Sequence, residues 1–126
     1  IIVPDNLVHQ WMIEMLRRFN LAFSIMTEEI CHELEITGEP NPFETAQLIL
    51  TNLTFLANSP KRLKQACAVN WDILTVDEAH HLRWEPKCTN VEYATIEQLS
   101  KNIPALLLIT ATPEQLGIEG HFARLR

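Results

Sequence analysis

The stretch Ile73-Leu74-Thr75-Val76 restricts this chain more than any other. It is β-branched or apolar with no polar alternation, so as a strand it must be buried on both faces. That is the position of a strand in a parallel sheet covered by helices. The run stops abruptly at Asp77-Glu78-Ala79-His80-His81. In open α/β sheets, ligands bind outside the carboxyl ends of the strands. Asp77 and Glu78 are therefore expected at a site, as paired acids suited to a metal ion and a water.

The rest of the chain arranges itself around that strand. Ile1 to Val3 reads as a strand end, and Pro4-Asp5-Asn6 as a turn able to cap a helix. Leu7, Trp11, Met15, Leu16 and Phe19 recur at helical spacing and predict a helix packed on a sheet. Leu21 to Met26 predicts a second strand, and Thr27-Glu28-Glu29 opens a short helix reaching about Leu34. Turn formers concentrate in Thr37-Gly38-Glu39-Pro40-Asn41-Pro42, which reads as the most mobile loop. Leu48 to Thr51 is a third strand, and Ser59-Pro60 starts a helix through about Ala68. After the strand Ile73 to Val76, Thr89 or Asn90 caps a helix from Val91 to about Lys101. The wholly apolar strand Ala105 to Ile109 then ends in Thr110-Ala111-Thr112-Pro113.

Strands separated by helices require crossover connections and hence a mostly parallel sheet covered on both faces. The expected fold is an α/β three-layer sandwich. A length of 126 residues, without an internal repeat or a long linker, fits one domain. The opening Ile1-Ile2-Val3-Pro4, without Met and already inside a strand pattern, suggests a piece of something longer.

Composition excludes several function classes. With 47% hydrophobic and 21% charged residues and no apolar run of the ~18 needed to span a bilayer, the chain is expected to be cytoplasmic, without a membrane partner. Cys31, Cys67 and Cys88 are widely spaced and form no C-x-x-C, so they read as thiols without function. A net charge of −6 argues against a strong electrostatic footprint on nucleic acid. Arg17-Arg18, Lys61-Arg62 with Lys64, and Arg124 with Arg126 form small basic patches that need be no more than solvated faces.

Mg²⁺ takes oxygen ligands, keeps most of its waters and is usually held by one or two carboxylates together with substrate phosphates. A single Asp at a strand tip suits it. Hydrolysis of a nucleotide also needs a group that orients the attacking water, and Glu78 is placed for that. Thr110-Ala111-Thr112 also ends an apolar strand, so it is expected at the same edge of the sheet, where its hydroxyls could hydrogen-bond His80. Other readings compete. Asp and Glu after a strand also serve as helix cap and dipole partner. A zinc site could draw on Asp77, His80, His81 and Cys67 or Cys88, although no H-E-x-x-H is present. A non-catalytic interaction module could use exposed aromatics, with Trp84 the open case; Trp11 and Trp71 read as core packing. His9, His32 and His121 read as structural.

Asp77-Glu78-Ala79-His80 followed by Thr110-Ala111-Thr112 resembles motifs II and III of superfamily-two helicases and translocases. Ile2-Val3-Pro4 with Gln10-Trp11 resembles motif Ia of the Swi/Snf-type branch, and Leu50-Thr51-Asn52-Leu53 its motif Ib. Asp77 through Leu82 with Trp84, and Thr110 through Gly117 and His121 to Arg126, are similar to the bacterial Swi/Snf-type ATPases associated with RNA polymerase. The resemblance implies a RecA-like P-loop NTPase lobe spanning motif Ia to just after motif III, in a nucleoid-associated bacterial ATPase. That enzyme would move on DNA and act with RNA polymerase in its recycling or remodelling. It implies that Asp77 binds the Mg²⁺ of Mg-ATP and that Glu78 activates the water. His80, Thr110, Ala111 and Thr112 would couple the nucleotide to DNA. Pro4, Gln10, Thr51 and Asn52 would face the nucleic-acid backbone.

One part of the pattern is missing. The glycines Gly38, Gly117 and Gly120 build no Gly-x-x-x-x-Gly-Lys followed by Ser or Thr, so the residues present are expected not to hydrolyse ATP alone. In such a lobe the strand feeding that loop lies beside the motif III strand. Without it, Ala105 to Ile109 is expected to be an unpaired apolar edge through which the chain self-associates, or which it covers locally.

Overall fold

The computed structural model describes residues 1–82 and 90–111. Strands β1 (Ile2–Val3), β2 (Ser24–Ile25), β3 (Ile49–Asn52), β4 (Ile73–Val76) and β5 (Ala105–Leu108) form one sheet in the order β2-β3-β1-β4-β5. Every pairing is parallel, which sharpens the expected mostly parallel sheet. Helices α1 (Val8–Phe19), α2 (Glu28–Ile36), α3 (Leu53–Asn58), α4 (Pro60–Cys67) and α5 (Val91–Ser100) supply the crossovers.

Side-chain alternation divides the sheet into two faces. Ile2, Ile49, Leu74 and Val76 join a core with Cys31 of α2, Leu56 of α3, Ala66 of α4, and Ile96 and Leu99 of α5. Val3 and Leu50, one residue on, turn the other way and meet Val8, Trp11 and Met12 of α1. The three layers are thus α1, the sheet, and the four remaining helices. Phe43 and Leu56, each about 1% exposed, are among the most deeply buried side chains of the larger core.

Local structure departs from the sequence pattern at several places. Of the expected strand Leu21 to Met26, only Ser24–Ile25 pairs. Asn20 takes a left-handed conformation (φ 56°), and the N–H groups of Asn20 and Leu21 return to the carbonyls of Leu16 and Met15, so the helix end consumes the first residues. Helix α3 follows β3 without a loop because Asn52, the last strand residue, accepts a hydrogen bond from Phe55 N (2.7 Å) and caps it. Asn41 ties the turn-rich loop to its surroundings, donating to the Gln65 carbonyl (2.9 Å) and accepting from Phe43 N (3.1 Å).

Arg62 corrects the expected solvated basic face. Its side chain is 2% exposed. Its Nε and Nη2 donate to both oxygens of Glu28, and its Nη1 donates to Glu35 Oε1 (2.7 Å) and Gln65 Oε1 (2.9 Å). A buried guanidinium needs this pairing, and its planar donors suit a bidentate carboxylate. Hydrogen bonds from Lys61, Arg62 and Gln65 hold the Glu35 carboxyl down at about 2, and Arg62 lowers that of Glu28. Trp71 packs against the core as expected, with its indole donating to the Ala66 carbonyl (2.8 Å). The Cys31 and Cys67 thiols are free, and burial pushes both upward. Among the described residues no helix is long and apolar enough to cross a membrane.

Candidate functional site

The carboxyl ends of β1 and β4 open on a cleft of about 430 Å³ bordered by Pro4, Asp5, Thr54, Asp77, Glu78 and Glu92. A second, apolar cavity of about 180 Å³ lies toward the opposite strand ends, against Phe23, Leu48, Trp71 and Ile73, and no ionisable side chain lines it. The cleft at the carboxyl ends of the strands is acidic, and its four acids repel an unescorted anion. A phosphate-bearing ligand entering there needs a cation with it.

Asp77 reaches this rim because the sheet carries it there. Its N–H donates to the Ile2 carbonyl (2.9 Å), which extends the β1–β4 ladder by one residue. Val76 points into the larger core, so Asp77 turns toward the α1 face. There Trp11 Nε1 donates to Asp77 Oδ2 (2.8 Å), while Glu78 N donates to Asp77 Oδ1 (2.8 Å). Both carboxylate oxygens are engaged, so the plane of the group is set.

The chain then bends sharply. Glu78 is left-handed (φ 52°, ψ 41°), a conformation that costs a residue with a Cβ about 1–2 kcal/mol. The turn Ala79–His81 follows, and Ala79 N donates to the Ile109 carbonyl (2.9 Å) while Ile109 N donates to the Val76 carbonyl (2.8 Å). The tips of β4 and β5 are thereby stitched together. His80 Nδ1 lies 2.9 Å from Glu78 Oε2, and the Thr110 hydroxyl lies 3.3 Å from the same nitrogen. An ionised carboxylate only accepts, so Nδ1 carries the proton in this contact. Glu78 retains 31% side-chain exposure toward the cleft.

The other residues singled out from the sequence are dispersed. Pro4 borders the cleft, and Gln10 is exposed on α1. Asn52 donates to Asp5 Oδ1 (3.1 Å) beside its capping bond. Thr51 is a correction: it is 3% exposed and its hydroxyl donates to the Met26 carbonyl (2.8 Å), because alternation on β3 turns it inward. Ala111 is described and exposed, whereas Thr112, Trp84, Cys88 and the terminal run through Arg126 lie outside the described residues. Among the described residues no group of three or more His, Cys, Asp and Glu could hold a metal, and Cys67 packs against the core; Cys88 and the His81 side chain lie outside what is described.

Trp11 is the residue that sequence reasoning missed. Its helical spacing accounts for the ring, which does pack against Val3, Val8 and Leu50, but not for the N–H. A usable signal existed, since a half-buried indole ordinarily finds an acceptor.

Comparison with known proteins identifies a family. The SNF2-related domain family matches residues 1–123. The chain is similar to the RNA polymerase-associated protein RapA of Vibrio cholerae (56% identical over 126 residues) and to that of Klebsiella pneumoniae (52%). The RapA protein of Actinobacillus succinogenes is 53% identical over 129 residues. Each match covers 100% of this chain, which spans 13% of the length of these relatives.

Proposed function

The chain belongs to the family of SNF2-related domains, and on that premise we propose that it forms part of the first motor lobe of an ATP-dependent DNA translocase, from motif Ia to just after motif III. The observation that carries this reading is the strand-tip constellation, in which Asp77, Glu78, His80 and Thr110 are joined across β4 and β5. Asp77 fits Mg²⁺: it is one hard, oriented carboxylate on an acidic cleft, and the ion's other ligands would be water and the phosphates of ATP. Bound there, Mg-ATP would supply neutralised phosphate charge. The chain's own contribution is orientation. Asp77 presents a fixed carboxylate, Glu78 orients and polarises the attacking water, and His80 holds Glu78 and senses Thr110.

Pro4, Gln10 and Asn52 are the residues proposed to face the nucleic-acid backbone, each with contacts that are independent of sequence. The relatives are named as associated with RNA polymerase, and action on that enzyme in transcription, in the bacterial cytoplasm near the nucleoid, is part of the proposal. Residues 1–126 alone should not hydrolyse ATP. Phosphoryl transfer depends on backbone donors and a lysine around the phosphates, and this sequence carries no such loop.

The test exchanges the matching segment of the full-length Vibrio cholerae relative for residues 1–126 and measures ATP hydrolysis with and without duplex DNA or RNA polymerase. Glu78→Gln should lower the rate by about 100- to 10,000-fold while nucleotide still binds. An unchanged rate would return Glu78 to the status of a turn residue and end this reading.

A further inference from the structure

We propose that Trp11 is a positioning residue for Asp77, through which helix α1 sets the orientation of the metal-facing carboxylate. This rests on the motor-lobe reading and deepens it, since nothing in the sequence pattern gives Trp11 more than a packing role.

The geometry is specific. Asp77 accepts from two donors of different origin, the Glu78 amide on Oδ1 and the Trp11 indole on Oδ2, each at 2.8 Å. The amide belongs to the adjacent residue, so it moves with Asp77. The indole arrives from a separate element, and its ring is wedged among Val3, Val8 and Leu50 on the α1 face of the sheet. Trp11 is therefore the one of these two donors that references the carboxylate to the scaffold. An indole N–H is a donor only, so it occupies one lone pair of Oδ2 and leaves the others free on a carboxylate that borders the cleft. Removing such an outer partner of a metal-ligating carboxylate characteristically costs about 10- to 100-fold in metal affinity or activity. Trp11 immediately follows the exposed Gln10, so displacement of α1 from its outer side reaches Asp77 through a rigid aromatic ring.

The experiment uses the same full-length chimera. Mn²⁺ binding is followed by electron paramagnetic resonance in the presence of a non-hydrolysable ATP analogue. The metal concentration that half-saturates ATP hydrolysis is measured in parallel. Trp11→Phe keeps the packing ring and removes the N–H. Replacement of Trp11 by benzothienylalanine keeps the full indole shape without the donor and guards against a folding defect in the phenylalanine variant.

Both variants should bind Mn²⁺ about tenfold more weakly. Both should recover most of the wild-type kcat at saturating metal and keep the wild-type KM for ATP and thermal midpoint. A purely structural role would lower the midpoint and leave the metal dependence in place. Unchanged Mn²⁺ affinity, or loss of folding in both variants, overturns the proposal. Glu78→Gln separates the two claims. If it abolishes hydrolysis while the Trp11 variants titrate like wild type, only the role of Trp11 falls; if it does not, the motor-lobe reading falls first.

Discussion

Glu78 holds a backbone conformation that a glycine would adopt without strain, at the position where the proposed chemistry needs a carboxylate. Stability and activity should therefore oppose each other there. Glu78→Gly is expected to raise stability by up to about 1 kcal/mol in urea unfolding of residues 1–126. It should also abolish hydrolysis in the full-length chimera; a destabilised variant would show that the His80 contact outweighs the strain. Thr110 offers a milder probe, because its hydroxyl is 3.3 Å from His80 Nδ1. Thr110→Val keeps the shape and should reduce stimulation of hydrolysis by DNA about 2- to 10-fold, the range expected for one hydrogen bond. Equal stimulation of variant and wild type would remove Thr110 from the coupling path. Asp77, Glu78 and His80 were legible from the sequence because a buried strand that ends in acids announces its own tip. The partner of Asp77 was not, because the contact between Trp11 and Asp77 joins residues 66 positions apart.

At the scale of elements, α2 and α4 are joined by Arg62, with Glu28 and Glu35 on the partner helix. Both carboxyls are held below the ordinary value of 4.5, Glu35 at about 2. A depressed acid contributes stability above its unfolded value, and that contribution disappears as the pH falls toward the folded value. The urea midpoint of residues 1–126 should accordingly drop between about pH 4.5 and 2, and Glu35→Gln should flatten that slope. An identical slope in the variant would place the acid sensitivity elsewhere. Removing both acids should be worse than Arg62→Met, because it strands a buried guanidinium, whereas Glu28 at 56% exposure rehydrates when Arg62 is lost. The helices themselves were largely readable from periodicity and capping residues. The ion pairs of the buried Arg62 were not, since the same Lys-Arg-x-Lys pattern serves a solvated face equally well. Helix α3 escaped because Asn52 ends a strand and caps a helix at once.

For the whole molecule, the larger core and the sheet edge make opposite demands. Phe43 is almost fully enclosed in that core, so Phe43→Ala should cost about 3–5 kcal/mol in urea unfolding; a loss below about 1 kcal/mol would mean the site collapses around the cavity. At the edge, β5 has a described neighbour only in β4, and Leu106 and Leu107 are 43% and 47% exposed. An apolar parallel edge of this kind is a template for pairing. Residues 1–126 are expected to associate with rising concentration in sedimentation velocity, and Leu107→Lys should restore the monomer. A wild-type chain that stays monomeric throughout would show the edge to be covered within the molecule.

The sequence by itself determined the α/β alternation, the parallel sheet and the tip that carries Asp77 and Glu78, because burial on both faces and abrupt polar endings are local properties of a run of residues. Tertiary structure decided that Arg62 is interior, that Thr51 faces inward and that the tips of β4 and β5 are stitched through Ile109. It also decided that the carboxylate at Asp77 meets an indole 66 positions away in the sequence. Each of these depends on which elements lie against one another, and that follows from the packing of the whole chain rather than from any stretch within it.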